Sequence, residues 1–212
     1  MTRISLSRAA LPGTILVLAL TAACSGDRGI EERPGRHAGA LSADVVDSAR
    51  PTEESLRGFR AGLRDAPTVL RGGATSRDSL VGRFIAALER ADTAALRQLV
   101  LAKAEFAYLV YPSSPYVRAP YRQAPEIVWL QLEAGSEKGL TRLLRRLGGR
   151  ALGYVGHDCP AAPVLEGSYL LWRDCVVRLS PRTAPDTASS RLFGVILERD
   201  GRFKFVSYSN DL

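Results

Sequence analysis

The stretch Phe193-Gly194-Val195-Ile196-Leu197-Glu198-Arg199-Asp200-Gly201-Arg202-Phe203-Lys204-Phe205 decides the fold class. Phe193, Val195 and Leu197 stand at every second position, the period of a strand with one apolar face. Asp200-Gly201 is a two-residue hairpin signal, because both residues tolerate the positive φ of a tight turn between twisted strands. Phe203 and Phe205 are expected to continue the same inward face on a further strand ending near Tyr208. Working backward, Tyr169, Leu171, Cys175, Val177 and Leu179 alternate along one long strand interrupted at Arg173, and Ala151 to His157 reads as another. Pro181 to Ser190 is a polar loop. The carboxyl-terminal part is thus expected to be an antiparallel sheet of about four strands.

Before residue 150 the period is helical. Leu80, Val81, Phe84, Ile85 and Leu88 mark one helix face, with Ser76 or Thr75 as cap. Asp92 caps a second helix bearing Leu96, Leu99 and Val100. Glu105 to Tyr111 either continues as a helical turn or enters a strand, and Pro112 and Pro115 stop it. Pro125 opens another helix at a first-turn position, and Gly148-Gly149 ends it. Gly135-Ser136 is expected to bend or split that helix, with Leu140, Leu143, Leu144 and Leu147 facing inward on its second half. Upstream, Leu56, Phe59 and Leu63 recur at helical spacing, weakened by Gly58 and Gly62, so a short helix is expected there.

Helices first and an antiparallel meander afterwards is an α+β layout, N-terminal helices packed on a C-terminal sheet. The order of elements from about Ser76 to Leu212 resembles the nuclear-transport-factor-2-like fold, which includes ketosteroid isomerases and many binding domains. That resemblance implies a curved, cone-like sheet. The helix from Pro125 to Leu147 is longer than that fold usually carries.

The amino terminus reads as an address. Arg3 and Arg8 precede the apolar run Leu11 to Ala23, and small residues lead to Cys24, the layout of a secretory signal. Leu20-Thr21-Ala22-Ala23-Cys24 resembles the lipobox of bacterial lipoproteins, which implies a lipidated Cys24 as first mature residue. Thr21 stands where leucine is commonest in that motif, and ordinary cleavage after Ala23 is the competing reading. Ser25 to Arg50 is rich in Gly, Arg, Glu, Ser and Ala and has no aromatic residue, so it reads as a tether around a solvated His37. The expected organisation is a signal peptide over 1–23, a lipidated cysteine and flexible tether with a short helix over 24–75, and one domain over 76–212.

The chain carries 29 Lys+Arg against 22 Asp+Glu, a surplus that suits anionic surfaces in general. Export argues against nucleic acid as the partner. There is no phosphate loop, no Gly-x-Ser-x-Gly elbow and no His-Glu-x-x-His. His157-Asp158-Cys159 lacks the further ligands a metal needs, so no metal and no cofactor are expected. Asp174 and Glu198 fall opposite the main apolar set and are expected to face solvent, which leaves no catalytic base and no catalytic residue to name. Tyr108, Tyr111, Tyr116 and Tyr121, with Trp129 just beyond, form a candidate ligand or partner surface, or else a proline-stiffened loop packed on the sheet edge. Arg142, Arg145, Arg146 and Arg150 gather at a helix end, either as a solvated face or as a contact for phosphate-bearing groups.

With Cys24 used by lipid, Cys159 and Cys175 remain in a compartment where disulfides persist. They are equidistant from Gly167, so an antiparallel turn there sets them opposite each other, and a bridge is expected. The reading is a membrane-anchored extracytoplasmic lipoprotein of the cell envelope. Its domain binds an envelope protein or a small molecule without catalysis. The alternative is an extracytoplasmic enzyme with a tyrosine-lined pocket in a ketosteroid-isomerase-like fold.

Overall fold

The computed structural model describes residues 52–180 and 188–212. The signal, Cys24, most of the tether and part of the polar loop lie outside the described residues. The chain is α+β, with helices first and strands after them. The helices are α1 (Thr52–Ala61), α2 (Arg77–Glu89), α3 (Thr93–Leu99), the short α4 (Lys103–Glu105) and α5 (Pro125–Leu147). The strands are β1 (Tyr154–Asp158), β2 (Val164–Glu166), β3 (Tyr169–Trp172), β4 (Val176–Leu179), β5 (Ala188–Ser190), β6 (Ile196–Arg199) and β7 (Arg202–Phe205). No helix among the described residues is long and apolar enough to cross a membrane.

Local chemistry sets the helix ends. The Ser76 and Asp92 side chains accept the amides of Ser79 and Ala95, satisfying donors that have no partner inside a first turn. Pro125 starts α5, and α4 continues as a π-helical turn over Phe106–Val110. The proline-rich stretch after it holds two 3-10 turns, Tyr111–Ser113 and Pro115–Val117.

The strands form two sheets rather than one, in the orders β1-β4-β5 and β2-β3-β6-β7. The long strand expected from Tyr169 to Leu179 is broken, with Asp174 at φ 55° between β3 and β4. The two pieces belong to different sheets. From β1 to β4 the chain is a single long hairpin about Gly167-Ser168. Its tip, β2 with β3, lies in the four-stranded sheet, and its base, β1 with β4, lies in the three-stranded one. Asp158 pairs with Val176, so the next residues inward, Cys159 and Cys175, meet where the hairpin changes sheet. They form the expected disulfide, Cα to Cα 4.1 Å.

The β6–β7 hairpin turns at Asp200-Gly201, both at positive φ. Its register corrects the expected facing. Ile196 pairs with Phe205 and Leu197 with Lys204, so Phe203 and Phe205 share a face with Ile196, while Leu197 faces the other way. Both faces are covered. On one, Phe84 of α2 meets Phe193, Phe205 and Tyr208 at centroid distances of 5.6, 5.4 and 5.7 Å. On the other, Leu171 and Leu197 pack in a second cluster with Phe106, Trp129 and Phe59. Each fully buried large apolar side chain of this kind contributes about 1.5–3 kcal/mol of transfer free energy.

Two further expectations are corrected. The folded part among the described residues begins before Ser76. Phe59 of α1 packs edge-on against Phe106 at 6.0 Å, Arg60 donates to the Ala107 carbonyl, and Ala74 bridges to Phe203. And α5 is continuous through Gly135-Ser136. The small residues there serve the carboxyl-terminal tail instead. The Tyr208 amide donates to Ser136 Oγ, Asn210 Nδ2 donates to the Gly139 carbonyl, and a Cβ at Gly139 would overlap the Tyr208 carbonyl. Arg142, one of the four clustered arginines, turns inward and donates to the carbonyls of Asn210 and Leu212.

Candidate functional site

Between α5 and the four-stranded sheet lies an apolar cleft of about 370 Å³. Val128 and Leu132 of α5 form one wall, and Leu171, Leu197 and Val206 form the sheet side. The π-helical turn closes the inner end through Phe106 and Val110. Three polar residues of the long hairpin join the lining. Tyr169 donates its hydroxyl to Glu166 Oε2 at 3.2 Å, and Arg173 donates to Glu166 Oε1 at 3.3 Å. Tyr116 adds a partly exposed ring, packed edge-on against Tyr121 at 5.8 Å.

The hairpin accounts for this cluster. Glu166 and Tyr169 are register partners on either side of Gly167-Ser168. Arg173 follows just before the positive-φ break at Asp174. Burial, then the nearby Glu166 carboxylate, push the Tyr169 hydroxyl well above its ordinary range, with Arg118 opposing them weakly. The phenol keeps its proton and uses it on Glu166. Both carboxylate oxygens accept a bond, so Glu166 is held between the phenol and the guanidinium.

The five aromatic residues singled out in the sequence do not form one surface. Tyr111 is fully buried and donates to the Gln123 carbonyl at 2.6 Å; burial raises its proton affinity, with Glu126 adding to the effect. Trp129 packs on Phe106 at 5.4 Å and is core as well. Tyr108 lies under the Arg60 guanidinium at 4.4 Å, beside α1. Tyr116 and Tyr121 are the exposed members, at 37% and 57%, and Tyr116 alone lines the cleft.

The other sequence candidates resolve similarly. Glu198 is not turned to solvent; it is partly buried and accepts the Trp172 indole N–H at 2.9 Å. Asp174 is exposed in the break, bridged to Arg191 at 3.5 Å. His157 has a nearly buried side chain whose Nδ1 lies 3.1 Å from the Tyr154 hydroxyl and 3.6 Å from Asp78. Burial lowers its pKa, and Asp78 partly offsets that. Among the described residues, no group of three or more His, Cys, Asp or Glu is placed to hold a metal ion.

Sequence reasoning missed Glu166, Tyr169 and Arg173 as neighbours. Pairing about Gly167 sets Glu166 opposite Ser168, whereas the hairpin tip is centred between Gly167 and Ser168 and brings Glu166 to Tyr169. A buried pair outside the cleft also went unseen. Lys204 Nζ donates to Glu105 Oε2 at 2.8 Å, with the two side chains 3% and 4% exposed. Glu105 also accepts the amides of Arg71 and Ala102, and the pair is buried scaffolding that ties α4 to β7.

No known protein family, no curated protein and no solved structure matches the chain.

Proposed function

We propose that this protein is an exported, lipid-anchored component of the cell envelope whose α+β domain binds a small molecule without transforming it. The observation that carries the binding reading is the cleft between α5 and the four-stranded sheet. It is concave, mostly apolar, and holds a few convergent polar groups, the composition of ligand sites in general. Tyr169 and Arg173 hold Glu166 from both oxygens, so the polar end of the cleft is preorganised for a bound molecule. The Arg3–Cys24 signal and the Cys159–Cys175 bridge support an extracytoplasmic address, because such bridges persist in oxidising compartments.

Two measurements test the reading. Intact mass of the membrane-extracted chain should show residues 1–23 removed and acyl mass on Cys24; a freely soluble product with an unmodified Cys24 would defeat the anchor. A hydrophobic fluorescent probe such as N-phenylnaphthylamine should bind the protein and lose that binding on Gln131→Trp. This exposed position on α5 lines the cleft, so the indole would fill it without disturbing the core. Equal probe binding by both proteins would remove the cleft as the seat.

One observation favours a second reading, the enzyme with a tyrosine-lined pocket: a carboxylate and a phenol do meet at the cleft. Proton transfer would use a lone pair of Glu166 that neither Tyr169 nor Arg173 occupies. Proton exchange into candidate carbonyl compounds that Glu166→Gln abolishes would favour it.

A further inference from the structure

Among the described residues, the charged side chains that line the cleft are Glu166 and Arg173, and they pair with each other at 3.3 Å. The lining therefore carries one negative and one positive charge, and these cancel. Glu166 is the more buried member, and Arg173 stays half exposed. Arg118 is exposed and does not line the space. The other lining residues are uncharged and mainly Val, Leu and Phe.

This balance works against an ionic occupant. A charged head would leave water to stand beside both members of a closed pair, drawn by one and repelled by the other, so its desolvation is not offset. A neutral head meets different conditions. Glu166 accepts one bond on each oxygen, from Tyr169 and from Arg173, and a carboxylate has further lone pairs. Arg173 engages Glu166 through one nitrogen, and a guanidinium has further N–H groups. An acceptor and a donor thus stand side by side at the polar end. A hydroxyl answers both, because it donates and accepts, whereas an ether oxygen only accepts. The volume of about 370 Å³ lies at the low end of the roughly 300–1,000 Å³ range of small-molecule sites, which suits one chain or one small ring system.

Resting on the binding reading above, we infer that the cleft takes an uncharged alcohol, its apolar body between α5 and the four-stranded sheet and its hydroxyl donating to Glu166 and accepting from Arg173. Tyr169 holds Glu166 by the other oxygen, so the acceptor is fixed before the ligand arrives. Selectivity lies in the balance of the pair. Removing either charge leaves the other to select a head of opposite sign.

The test uses the full chain carrying Cys24→Ala, which removes the thiol that would be acylated. Calorimetric titration at neutral pH compares decanol, its isomer nonyl methyl ether, decanoate and decylamine, each kept below its solubility or micelle limit. Decanol should bind about tenfold more tightly than either ion, because the ion loses its water to a pair that is already balanced. It should also bind severalfold more tightly than the ether, which leaves the carboxylate unanswered. Glu166→Gln should move the preference to decanoate and Arg173→Gln to decylamine, and added salt should weaken both new preferences. Melting temperatures show that the variants fold, and the ranking in the parent protein tests the assignment without them. A parent that favours either ion, or binds the ether as well as decanol, would overturn the alcohol assignment and leave the binding reading intact. Folded variants that keep the parent's ranking would overturn it as well, since the pair would not be the seat of the head. If none of the four binds while N-phenylnaphthylamine does, the alcohol assignment falls alone; if that probe fails too, the binding reading falls with it.

Discussion

Gly139→Ala sets two forces against each other. Alanine is favoured over glycine inside a helix by about 1 kcal/mol, so propensity alone predicts a more stable protein. The structure predicts the reverse. An added Cβ would overlap the Tyr208 carbonyl oxygen and stand 2.6 Å from its carbon, where apolar contacts settle at about 3.5–4 Å. The tail must therefore retreat from α5 by on the order of 1 Å. That movement strains the bonds from the Tyr208 amide to Ser136 and from Asn210 to Gly139, and it disturbs a fully buried Tyr208 ring whose hydroxyl donates to the Leu96 carbonyl. Overpacking costs about 1–3 kcal/mol and each lost hydrogen bond about 1 kcal/mol. After the propensity gain is subtracted, the net loss is about 2–4 kcal/mol, and a melting temperature some 5–15 °C lower is expected for a chain of this size. Gly135→Ala is the control on the same helix. Its Cβ would meet only Ser209 Oγ at an ordinary 3.8 Å, so stability should hold or rise by up to about 1 kcal/mol. Thermal melting by circular dichroism reads both. If Gly139→Ala is as stable as Gly135→Ala, the tail does not dock on α5 as described.

Three further outcomes follow from the same structure. Replacing Cys159 and Cys175 by alanine removes a bridge across 16 residues of sequence separation and should cost about 3 kcal/mol in the chain-entropy model, seen as a melting shift that reductant reproduces in the parent and not in the variant. Lys204→Met leaves the Glu105 carboxylate buried with only backbone donors and should cost about 3–5 kcal/mol in urea titrations; a loss below about 1 kcal/mol would mean that water reaches the pair. Burial holds His157 below its ordinary pKa, so the unfolded chain takes up a proton that the folded chain resists as pH falls through about 6.5; stability should decline there with acid and level off below the folded value, and His157→Gln should flatten that part of the profile.

Periodicity revealed the helices because each helix has one wet face. Ser76, Asp92 and Pro125 could be read as start signals because capping is local chemistry. The same logic failed for the sheets. Alternation tells inside from outside only when a strand has a wet side, and β6 and β7 are covered on both. Leu197 and Ile196 are both fully buried, and Lys204, polar by type, is buried against a carboxylate from far away in the chain. The parity argument that sent Glu198 to solvent failed for that reason. Gly135-Ser136 misled in another way. Small residues inside a helix read as weakness when the sequence is taken locally, whereas here they admit a tail about 70 residues downstream.

The disulfide was legible for a reason that also explains why the cleft was not. Antiparallel pairing ties each residue to one partner through a single centre, so locating the turn near Gly167 was enough to set Cys159 against Cys175. The tip of the hairpin is centred half a step later, between Gly167 and Ser168, so Glu166 meets Tyr169, a pair that counting about Gly167 alone does not give. What the sequence could not supply is the bend. Only when the chain passes from one sheet to the other at the bridge does the hairpin tip reach over α5, and only then do a carboxylate, a phenol and a guanidinium from neighbouring positions join Val128 and Leu132 around one space. The bridge is thus placed to hold the crossing that shapes the cleft. Reduction should accordingly weaken binding in the cleft at temperatures where the domain is still folded, and a bridge that served stability alone would leave that affinity unchanged.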